Sequence, residues 1–283
     1  MEAIKAGLQL VGPRLASIVG DTQAVGNEIL VHCWRGGMRS SYFCQFIGMA
    51  KVKSLQLKGG YKAYRQHAWQ RFKTPLKLLS ICGYTGSGKS EILRALAAAG
   101  EQVIDLEALA RHRGSVFGGL AEDQPTTEQF QNDLCEVLLS LDPSRPVWVE
   151  DESIAIGKIF LPEELWHQMN NSRMIEVGVE KHIRIQRLTA EYDSMDKTKF
   201  LEAMVKIAKR LGGQHFKAAR EKLLAGDFSS VVDILLTYYD KAYRNGLENK
   251  KTRIKLYSSW NGTDVHVFAR QLIKEAELVH TFA

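Results

Sequence analysis

Short apolar runs alternate along this chain with longer segments whose apolar positions repeat at helical spacing. The short runs predict buried strands at 28–32, 52–57, 77–82, 102–104, 147–152 and 173–177. The longer segments predict helices at 40–50, 91–99 and 181–192, one that begins at Pro162, and a helical run at 201–211, 216–224 and 231–243. Strands that alternate with helices indicate an α/β fold with a parallel sheet, followed here by a helical C-terminal extension.

Composition narrows the class of protein. The 283 residues are 45% hydrophobic and 25% charged, which is enough apolar material for one large or two modest cores. No apolar run reaches the ~18 to 20 residues of a membrane helix, and the first residues lack the layout of a secretory signal. The four cysteines are too far apart for a CxxC pair, which predicts free thiols. We therefore expect a globular cytoplasmic protein that does not enter a membrane.

The charge distribution is uneven. The net charge is +6, and residues 29–90 contain no Asp or Glu. The same stretch contains Arg35, Arg39, Lys51, Lys53, Lys58, Lys62, Arg65, Arg71, Lys73, Lys77 and Lys89. An acid-free basic stretch favours a polyanionic substrate, of which nucleic acid is the obvious large example. Tyr61, Tyr64, His67 and Trp69 lie among these cations, and they either stack on unpaired bases or pack inward as core.

A cysteine loop lies between the first predicted strand and helix. Residues 32–40 read His-Cys-Trp-Arg-Gly-Gly-Met-Arg-Ser. A thiolate at the N-terminus of a helix is stabilised by the helix dipole and by free N–H groups, which lowers the thiol pKa. Two glycines let the backbone curl, and two arginines add positive charge. The pattern predicts a reactive site formed by Cys33, Arg35 and Arg39.

A P-loop follows the third predicted strand. Residues 83–90 have the pattern Gly-x4-Gly-Lys-Ser and lead into a helix. In such loops backbone amides hold a diphosphate, the lysine bridges its oxygens, and the serine binds Mg²⁺ if a metal takes part. The predicted phosphate-binding residues are Gly83, Thr85, Gly86, Ser87, Gly88, Lys89 and Ser90.

Two further segments supply candidate substrate-binding residues. Residues 105–118 follow a strand at the place where nucleoside kinases bind substrate, so their arginines either face anionic groups or lie on a solvated helix surface. The strand at 147–152 ends in three acids, of which the first two are placed to reach Mg²⁺ through water. The candidates are Asp105, Arg111, His112, Arg113, Glu150 and Asp151. Apart from the P-loop serine, no residue is predicted to ligate a metal directly.

The cysteine loop resembles the active site of a rhodanese domain, in which the cysteine carries a persulfide cradled by backbone amides. Gly59-Gly60-Tyr61 is similar to the segment that follows the next strand in that family. Cys33 and Arg39 are six residues apart, which is the C-x5-R spacing of cysteine phosphatases. A rhodanese-like phosphatase is therefore an alternative.

The order of all these parts resembles the tRNA 2-selenouridine synthase family, a rhodanese domain fused to a P-loop domain. Besides the two loops, the similarity includes residues 59–63, 105–118 and 150–157. It continues more weakly at 187–192 and 238–243. The resemblance implies a partial rhodanese-like domain at 1–73 and a P-loop domain with a helical C-terminal region at 74–283.

The resemblance implies a two-stage exchange at the wobble 2-thiouridine of tRNA. Geranyl diphosphate first alkylates the sulfur, and selenium from selenophosphate then displaces the activated sulfur. The P-loop, Arg111 and Arg113 would bind the diphosphate and assist its departure. Cys33 would act in the selenium step as a nucleophile or chalcogen carrier, with Arg35 and Arg39 holding selenophosphate or a tRNA phosphate. No tightly bound cofactor is implied.

One feature departs from the family. About 30 residues precede Cys33, whereas a rhodanese domain of ordinary size has roughly 110 to 130 residues. We expect that the first part of this domain is lacking, that a partner chain fills the gap, and that the P-loop half folds by itself. Two other functions stay open: a P-loop small-molecule kinase with a degenerate rhodanese appendage, and a non-catalytic sulfur-relay or tRNA-binding module.

Overall fold

The computed structural model describes residues 2–26, 28–115, 117, 123–192 and 195–280. The chain divides into two compact units, Met1–Gln70 and Arg71–Ala283. The sequence placed this boundary between residues 73 and 74. Gly118, part of the segment that resembles the synthase family, lies outside the described residues.

Among its described residues, the first unit contains a two-stranded parallel sheet, three whole helices and most of a fourth, whose last three residues belong to the second unit. The sheet pairs β1 (Glu28–Val31) with β2 (Lys53–Gln56), and both strands lie where the apolar runs predicted them. A small core of Val31, Ile47 and Val52 joins this sheet to the helix between its strands. The helices are α1 (Glu2–Val11), α2 (Leu15–Val25), α3 (Met38–Met49) and α4 (Gly60–Lys73), and a 3-10 turn at Gly12–Arg14 links the first two.

One face of this small sheet carries an uncovered pair of leucines. Leu30 of β1 pairs in register with Leu55 of β2, so their side chains lie side by side on the same face. Leu30 is 61% exposed and Leu55 is 62% exposed. Each side chain leaves most of its hydrophobic surface in water. Full burial of a leucine side chain would stabilise the protein by about 1.5 to 3 kcal/mol.

The second unit is built on a five-stranded parallel sheet, which confirms the predicted α/β class. Its strand order is β4-β5-β3-β8-β9. The strands are β3 (Lys77–Cys82), β4 (Gln102–Ile104), β5 (Pro146–Glu150), β8 (Arg173–Gly178) and β9 (Ile254–Ser259), and a separate hairpin pairs β6 (Ala155–Ile156) with β7 (Ile159–Phe160). Because β3 lies at the centre, the loop after it opens at the middle of the sheet's carboxyl edge.

Helices surround this sheet and build its core. They are α5 (Lys89–Ala98), α6 (Leu106–Ala110), α7 (Thr127–Ser140), α8 (Glu163–Asn171) and α13 (Val265–His280). Five of the six residues of β3 are buried, as a near-continuous apolar run in a parallel sheet requires. The core on the α5 and α13 side includes Leu79, Ile81, Ile92, Leu96, Trp148, Ile175, Phe268 and Leu272. None of the described helices is long and apolar enough to cross a membrane.

The helical C-terminal part is confirmed, and it has its own core. It comprises α9 (Lys181–Tyr192), α10 (Lys197–Leu211), α11 (Gly213–Leu224) and α12 (Phe228–Glu248). Phe200 is fully buried at its centre and stacks on Phe117, with ring centroids 4.4 Å apart. After a 3-10 turn at Lys251–Arg253 the chain returns to the sheet, where β9 pairs in parallel with β8. The helices therefore form a long connection between two neighbouring strands, which the sequence did not predict.

Candidate functional site

The P-loop joins the central strand β3 to helix α5. Gly88 precedes α5 with φ of +77°, and a Cβ there would lie 2.6 Å from the Trp260 ring. Only glycine fits this left-handed, crowded position without strain. Lys89 folds back over the loop, where its Nζ donates to the Gly83 carbonyl at 3.2 Å. The free amides at the start of α5 and the lysine ammonium therefore lie together, as anion binding requires.

A small cavity of about 150 Å³ lies at this loop. Its walls include the P-loop backbone together with Arg113, Glu152 and Tyr192. A larger cavity of about 670 Å³ adjoins it. The two cavities share Gly88, Ser90, Glu107, Arg113 and Glu191 in their walls.

Several predicted substrate-binding residues come together at the larger cavity. Arg111, His112, Arg113 and Asp105 all line it. Arg113 Nη1 donates to Glu191 Oε1 at 2.6 Å, and this hydrogen bond raises the pKa of the guanidinium. Of the two arginines, only Arg113 also lines the smaller cavity.

His112 and Asp105 also have structural roles, which the sequence did not predict. Burial lowers the pKa of His112, and its Nδ1 is buried without a hydrogen-bond partner among the described residues. Its imidazole is therefore neutral near pH 7. Asp105 caps α6, since its Oδ1 accepts from the Ala108 amide at 2.8 Å.

The acids at the end of β5 are not placed as expected. Glu150 is fully buried, and its Oε2 accepts from the Leu106 amide at 2.9 Å. Burial, with Asp105 and Glu107 nearby, raises the pKa of Glu150 well above its usual range. Asp151 pairs with Lys250 at 2.6 Å. Neither side chain lines the two cavities, so the structure does not bring them to the P-loop as water-mediated Mg²⁺ ligands.

Two other acids take that position. Ser90 Oγ donates to Glu107 Oε2 at 2.5 Å, and Glu152 lines the small cavity with Lys89. Burial and the charge of Glu107 raise the pKa of Glu152 to about 7, although Lys89 acts in the opposite direction. The sequence had singled out the segments that contain Glu107 and Glu152, at 105–118 and 147–152, but not these two acids themselves. Among the described residues, no group of three or more His, Cys, Asp or Glu side chains forms a metal site.

Helix α9 packs directly on the P-loop. Arg184 makes two hydrogen bonds to Asp240 of α12, both at 2.8 Å, and its Nη1 also donates to the Thr85 carbonyl at 3.2 Å. The Arg184 side chain is only 6% exposed. One buried ion pair thus holds the helical part and the P-loop together.

Removing Asp240 should destabilise the protein strongly. In Asp240→Ala a buried guanidinium loses its counterion, and we expect a loss of about 3 kcal/mol in the free energy of unfolding. Asp233 is a matched control because it lies on the same helix and pairs with Lys181 of α9, with both side chains about half exposed. Asp233→Ala should cost under about 1 kcal/mol. Urea unfolding measures both, and equal losses would contradict the importance given to the buried pair.

In the first unit, Cys33 lies in a loop that holds its sulfur among donors. Sγ is 3.2 Å from Ser40 Oγ, and the Gly37 amide donates to it at 3.3 Å. The hydrogen bond from the Ser40 hydroxyl, followed by those from the Ser40 and Gly37 amides, lowers the pKa of Cys33 to about 6. Gln56 Nε2 in turn donates to Ser40 Oγ at 2.9 Å. The thiol is therefore largely ionised at neutral pH, as a nucleophile requires.

The glycine pair after β2 supports this loop. A Cβ on Gly60 would lie 2.2 Å from the Cys33 carbonyl oxygen, and φ of Gly60 is +63°. The amides of Tyr61 and Lys62 donate to the carbonyls of Cys33 and Trp34 at 3.0 and 2.9 Å. The start of α4 is therefore bonded to the loop backbone.

The side chains around this loop are partly open. Arg35 and Arg39 are both exposed. Tyr61 stacks on His32 and on Tyr64, with ring centroids 5.8 and 5.9 Å apart. Trp34 is 52% exposed and Trp69 is 38% exposed. The aromatic residues thus pack against one another while leaving ring surface accessible, so the structure combines the two alternatives left open by the sequence.

The reactivity of Cys33 should follow a low pKa. We expect its alkylation by iodoacetamide to rise through pH 6 and to level off above pH 7, because only the thiolate reacts. Ser40→Ala removes the main stabilising hydrogen bond and should move the midpoint upward. The Cys33→Ala protein measures the background from the other three cysteines. A midpoint for the wild-type protein that stays at the ordinary thiol value would contradict the geometry.

Comparison with known proteins identifies the family. A family model described as the AAA domain of tRNA 2-selenouridine synthase matches residues 76–275. A tRNA 2-selenouridine synthase of Nitrosomonas europaea is 32% identical, over 78% of this chain and 70% of that protein. One from Hydrogenovibrio crunogenus is also 32% identical, over 89% of this chain and 79% of that protein.

Among solved structures, the chain is similar to the tRNA isopentenylpyrophosphate transferase of Bacillus halodurans. The identity is 12% and the TM-score 0.37, over 73% of this chain and 98% of that one. The family model matches well over half of this chain, and the two synthases are more than 30% identical to most of it. The chain therefore belongs to the tRNA 2-selenouridine synthase family.

Proposed function

We propose that this chain is an enzyme that replaces the sulfur of wobble 2-thiouridine in tRNA by selenium. The exchange proceeds through an S-geranylated intermediate made from geranyl diphosphate. Family membership supports action on tRNA. The observation that carries the proposal is a P-loop cradle that opens into a larger cavity lined by arginines.

The P-loop unit carries out the alkylation. The bond between the geranyl carbon and the diphosphate oxygen breaks, and its electron pair leaves with the diphosphate. The thiouridine sulfur donates the pair that forms the new carbon–sulfur bond, and the proton on the neighbouring ring nitrogen passes to water. Lys89 and the P-loop amides stabilise the negative charge that develops on the leaving diphosphate, which lowers the barrier. Arg113, in the wall of the small cavity, adds a further charge.

The cysteine loop serves the selenium step. The Cys33 thiolate attacks the phosphorus of selenophosphate, the phosphorus–selenium bond breaks, and selenide leaves. Selenide then attacks the base carbon, and the geranylated sulfur takes a proton and leaves as a thiol. Water hydrolyses the sulfur–phosphorus bond on Cys33, which releases phosphate and restores the thiol. Arg35 and Arg39, both exposed beside it, hold selenophosphate or a tRNA phosphate.

No tightly bound cofactor is needed for either step. Selenophosphate and geranyl diphosphate are co-substrates. A Mg²⁺ ion that arrives with the diphosphate would meet the Ser90 hydroxyl, the usual metal ligand of a P-loop. Glu107 already accepts a hydrogen bond from that hydroxyl and would then lie within reach of the same ion.

A partner chain completes the first unit in this proposal. The exposed leucine pair Leu30 and Leu55 is an apolar contact point on the sheet that a second polypeptide segment would cover. Because Val31 and Gln56 of the same strands lead into the loop or support it, covering this face would fix the loop for selenium transfer. Full selenation by the purified chain alone would contradict this part of the proposal.

One assay tests the function. Thiolated tRNA is incubated with protein, geranyl diphosphate and selenophosphate, and the digested nucleosides are weighed by mass spectrometry. An extract of the cells that encode this chain, with its gene deleted, supplies any partner chain. The proposal predicts geranylated and selenated nucleosides that depend on added protein. Steady ATP turnover stimulated by a metabolite, with unaltered tRNA, would instead identify a small-molecule kinase.

A further inference from the structure

The larger cavity at the P-loop is lined by four arginines that differ in their partners. They are Arg94, Arg111, Arg113 and Arg187. Two of them are held by acids, since Arg113 pairs with Glu191 and Arg187 pairs with Glu91. Arg94 and Arg111 are exposed, and their side chains make no hydrogen bond or ion pair with any described residue. Two cations at this cavity are thus free to bind a ligand.

The acids of the cavity are all engaged by the protein. Glu91 and Glu191 hold the two paired arginines. Glu107 accepts from the Ser90 hydroxyl, and Asp105 accepts from a backbone amide of its own helix. Hydrogen bonds from neutral donors leave the charges of Glu107 and Asp105 in place, so the four carboxylates of the cavity equal its four arginines in number. Because each carboxylate already has a partner within the protein, an anionic ligand would meet the unpaired side chains of Arg94 and Arg111.

Size distinguishes the two cavities. The small one, of about 150 Å³, accommodates the diphosphate of the proposed co-substrate. The larger one, of about 670 Å³, lies within the ~300 to 1,000 Å³ range of sites for whole small molecules. Because the cavities share Ser90, Glu107 and Arg113, a group in the larger one lies next to the diphosphate.

Arg94 is placed to act on that neighbouring group. It lies on α5 four residues after Ser90, one helical turn from the phosphate cradle and on the same side of the helix. Arg111 directly follows α6 as its C-cap, with a left-handed backbone (φ 49°) that ends the helix. The two free arginines therefore come from different elements and meet at one cavity.

We propose that the larger cavity holds the target nucleotide of tRNA and that Arg94 and Arg111 bind its flanking backbone phosphates. This inference rests on the proposed action on tRNA, and it assigns Arg111 to the RNA rather than to the diphosphate. The arrangement brings the reacting base beside the bond that breaks, which is the positioning that a bimolecular transfer needs.

The test measures tRNA and diphosphate binding separately. Fluorescein-labelled tRNA with wobble 2-thiouridine is titrated with the full chain at salt concentrations from ~50 to ~200 mM. The variants are Arg94→Ala, Arg111→Ala, the double variant, and Arg94→Lys, which keeps the charge. Arg220→Ala is the matched control, because Arg220 is exposed on α11 and lines neither cavity. Calorimetry with inorganic diphosphate is run on the same proteins and on Lys89→Ala.

Arg94→Ala and Arg111→Ala should each bind tRNA about tenfold more weakly than the wild-type chain. The slope of log affinity against log salt should fall by about 0.7 for each lost phosphate contact with single-stranded RNA. Arg94→Lys should keep most of the slope, and Arg220→Ala should match wild type. Diphosphate affinity should change only in Lys89→Ala.

Several outcomes would overturn the inference. A double variant that keeps the wild-type slope and affinity for tRNA places the phosphates elsewhere. Weaker diphosphate binding by Arg94→Ala or Arg111→Ala shows that the larger cavity holds the diphosphate end instead. If the wild-type chain binds no tRNA at all, the inference fails together with the proposed function, whereas a failure limited to the variants leaves that function intact.

Discussion

Replacement of Lys89 by alanine should remove geranylated nucleoside from tRNA, and with it the selenated product. Lys89 lies over the P-loop at hydrogen-bond distance from the Gly83 carbonyl, where its charge meets the departing diphosphate. Loss of one preorganised charge at a leaving group costs about 10² to 10³ in rate. We therefore expect at least a ~100-fold slower alkylation with thiouridine left in place.

The measurement is made in the cells that encode this chain, with the codon changed at its own locus, so that any partner chain is present. Nucleosides from bulk tRNA are weighed by mass spectrometry. Lys77→Ala is the matched control, because Lys77 lies at the opposite end of β3 and its ammonium donates to the exposed carbonyl of Ser144. Normal geranylation in the Lys89→Ala strain would show that the P-loop does not serve the alkylation.

Replacement of Cys33 by alanine should stop selenium transfer while the geranylated nucleoside accumulates. The lowered pKa of Cys33 and its cradle of Ser40 and Gly37 donors suit a nucleophile. No other described cysteine combines exposure with such donors: Cys82 and Cys135 are buried, and burial raises the pKa of Cys82 to about 12. We expect selenated nucleoside to fall below about 1% of wild type, since removal of a covalent catalyst usually costs more than 10³ in rate.

Cys44 supplies the control for this variant. It is half-buried on α3 of the same unit and packs against the small core of that unit. Cys44→Ala should leave both nucleosides near wild-type levels. The opposite pattern, in which Cys33→Ala loses the geranylated nucleoside and Lys89→Ala keeps it, would reverse the assignment of the two loops.

Local sequence patterns predicted much of this fold. The apolar run at 77–82 and the glycine-rich pattern after it correspond to β3 and the P-loop, because a buried parallel strand and a phosphate cradle each need a particular local sequence. The cysteine loop was predicted for the same reason. In both cases the residues that define the geometry are neighbours in sequence.

Features made by distant residues were not predictable. Three consecutive acids end or follow β5. The sequence could not show that Glu150 accepts from the Leu106 amide or that Asp151 pairs with Lys250, which leaves Glu152 at the cavity. The choice depends on contacts with segments up to about a hundred residues away. The pair of Arg184 with Asp240 is hidden in the same way, because either residue alone looks like an ordinary charged position on a helix surface.

The return of the chain to the sheet was also missed. Strand β9 lies at an edge and alternates between partly buried and exposed residues, next to a lysine-rich turn. Such a short, half-polar strand carries a weak periodic signal. Its place became evident only from its pairing with β8 and from the packing of α13 on α5.

The proposal assigns geranylation to the P-loop and selenium transfer to the cysteine loop. Its most direct test is an experiment that bypasses the geranylation step. Lys89→Ala protein is given tRNA that already carries the S-geranylated nucleoside, together with selenophosphate and the gene-deleted extract. We expect 2-selenouridine at nearly the wild-type rate from Lys89→Ala and none from Cys33→Ala. If Lys89→Ala fails on this substrate while Cys33→Ala converts it, the division of chemistry between the two loops is contradicted.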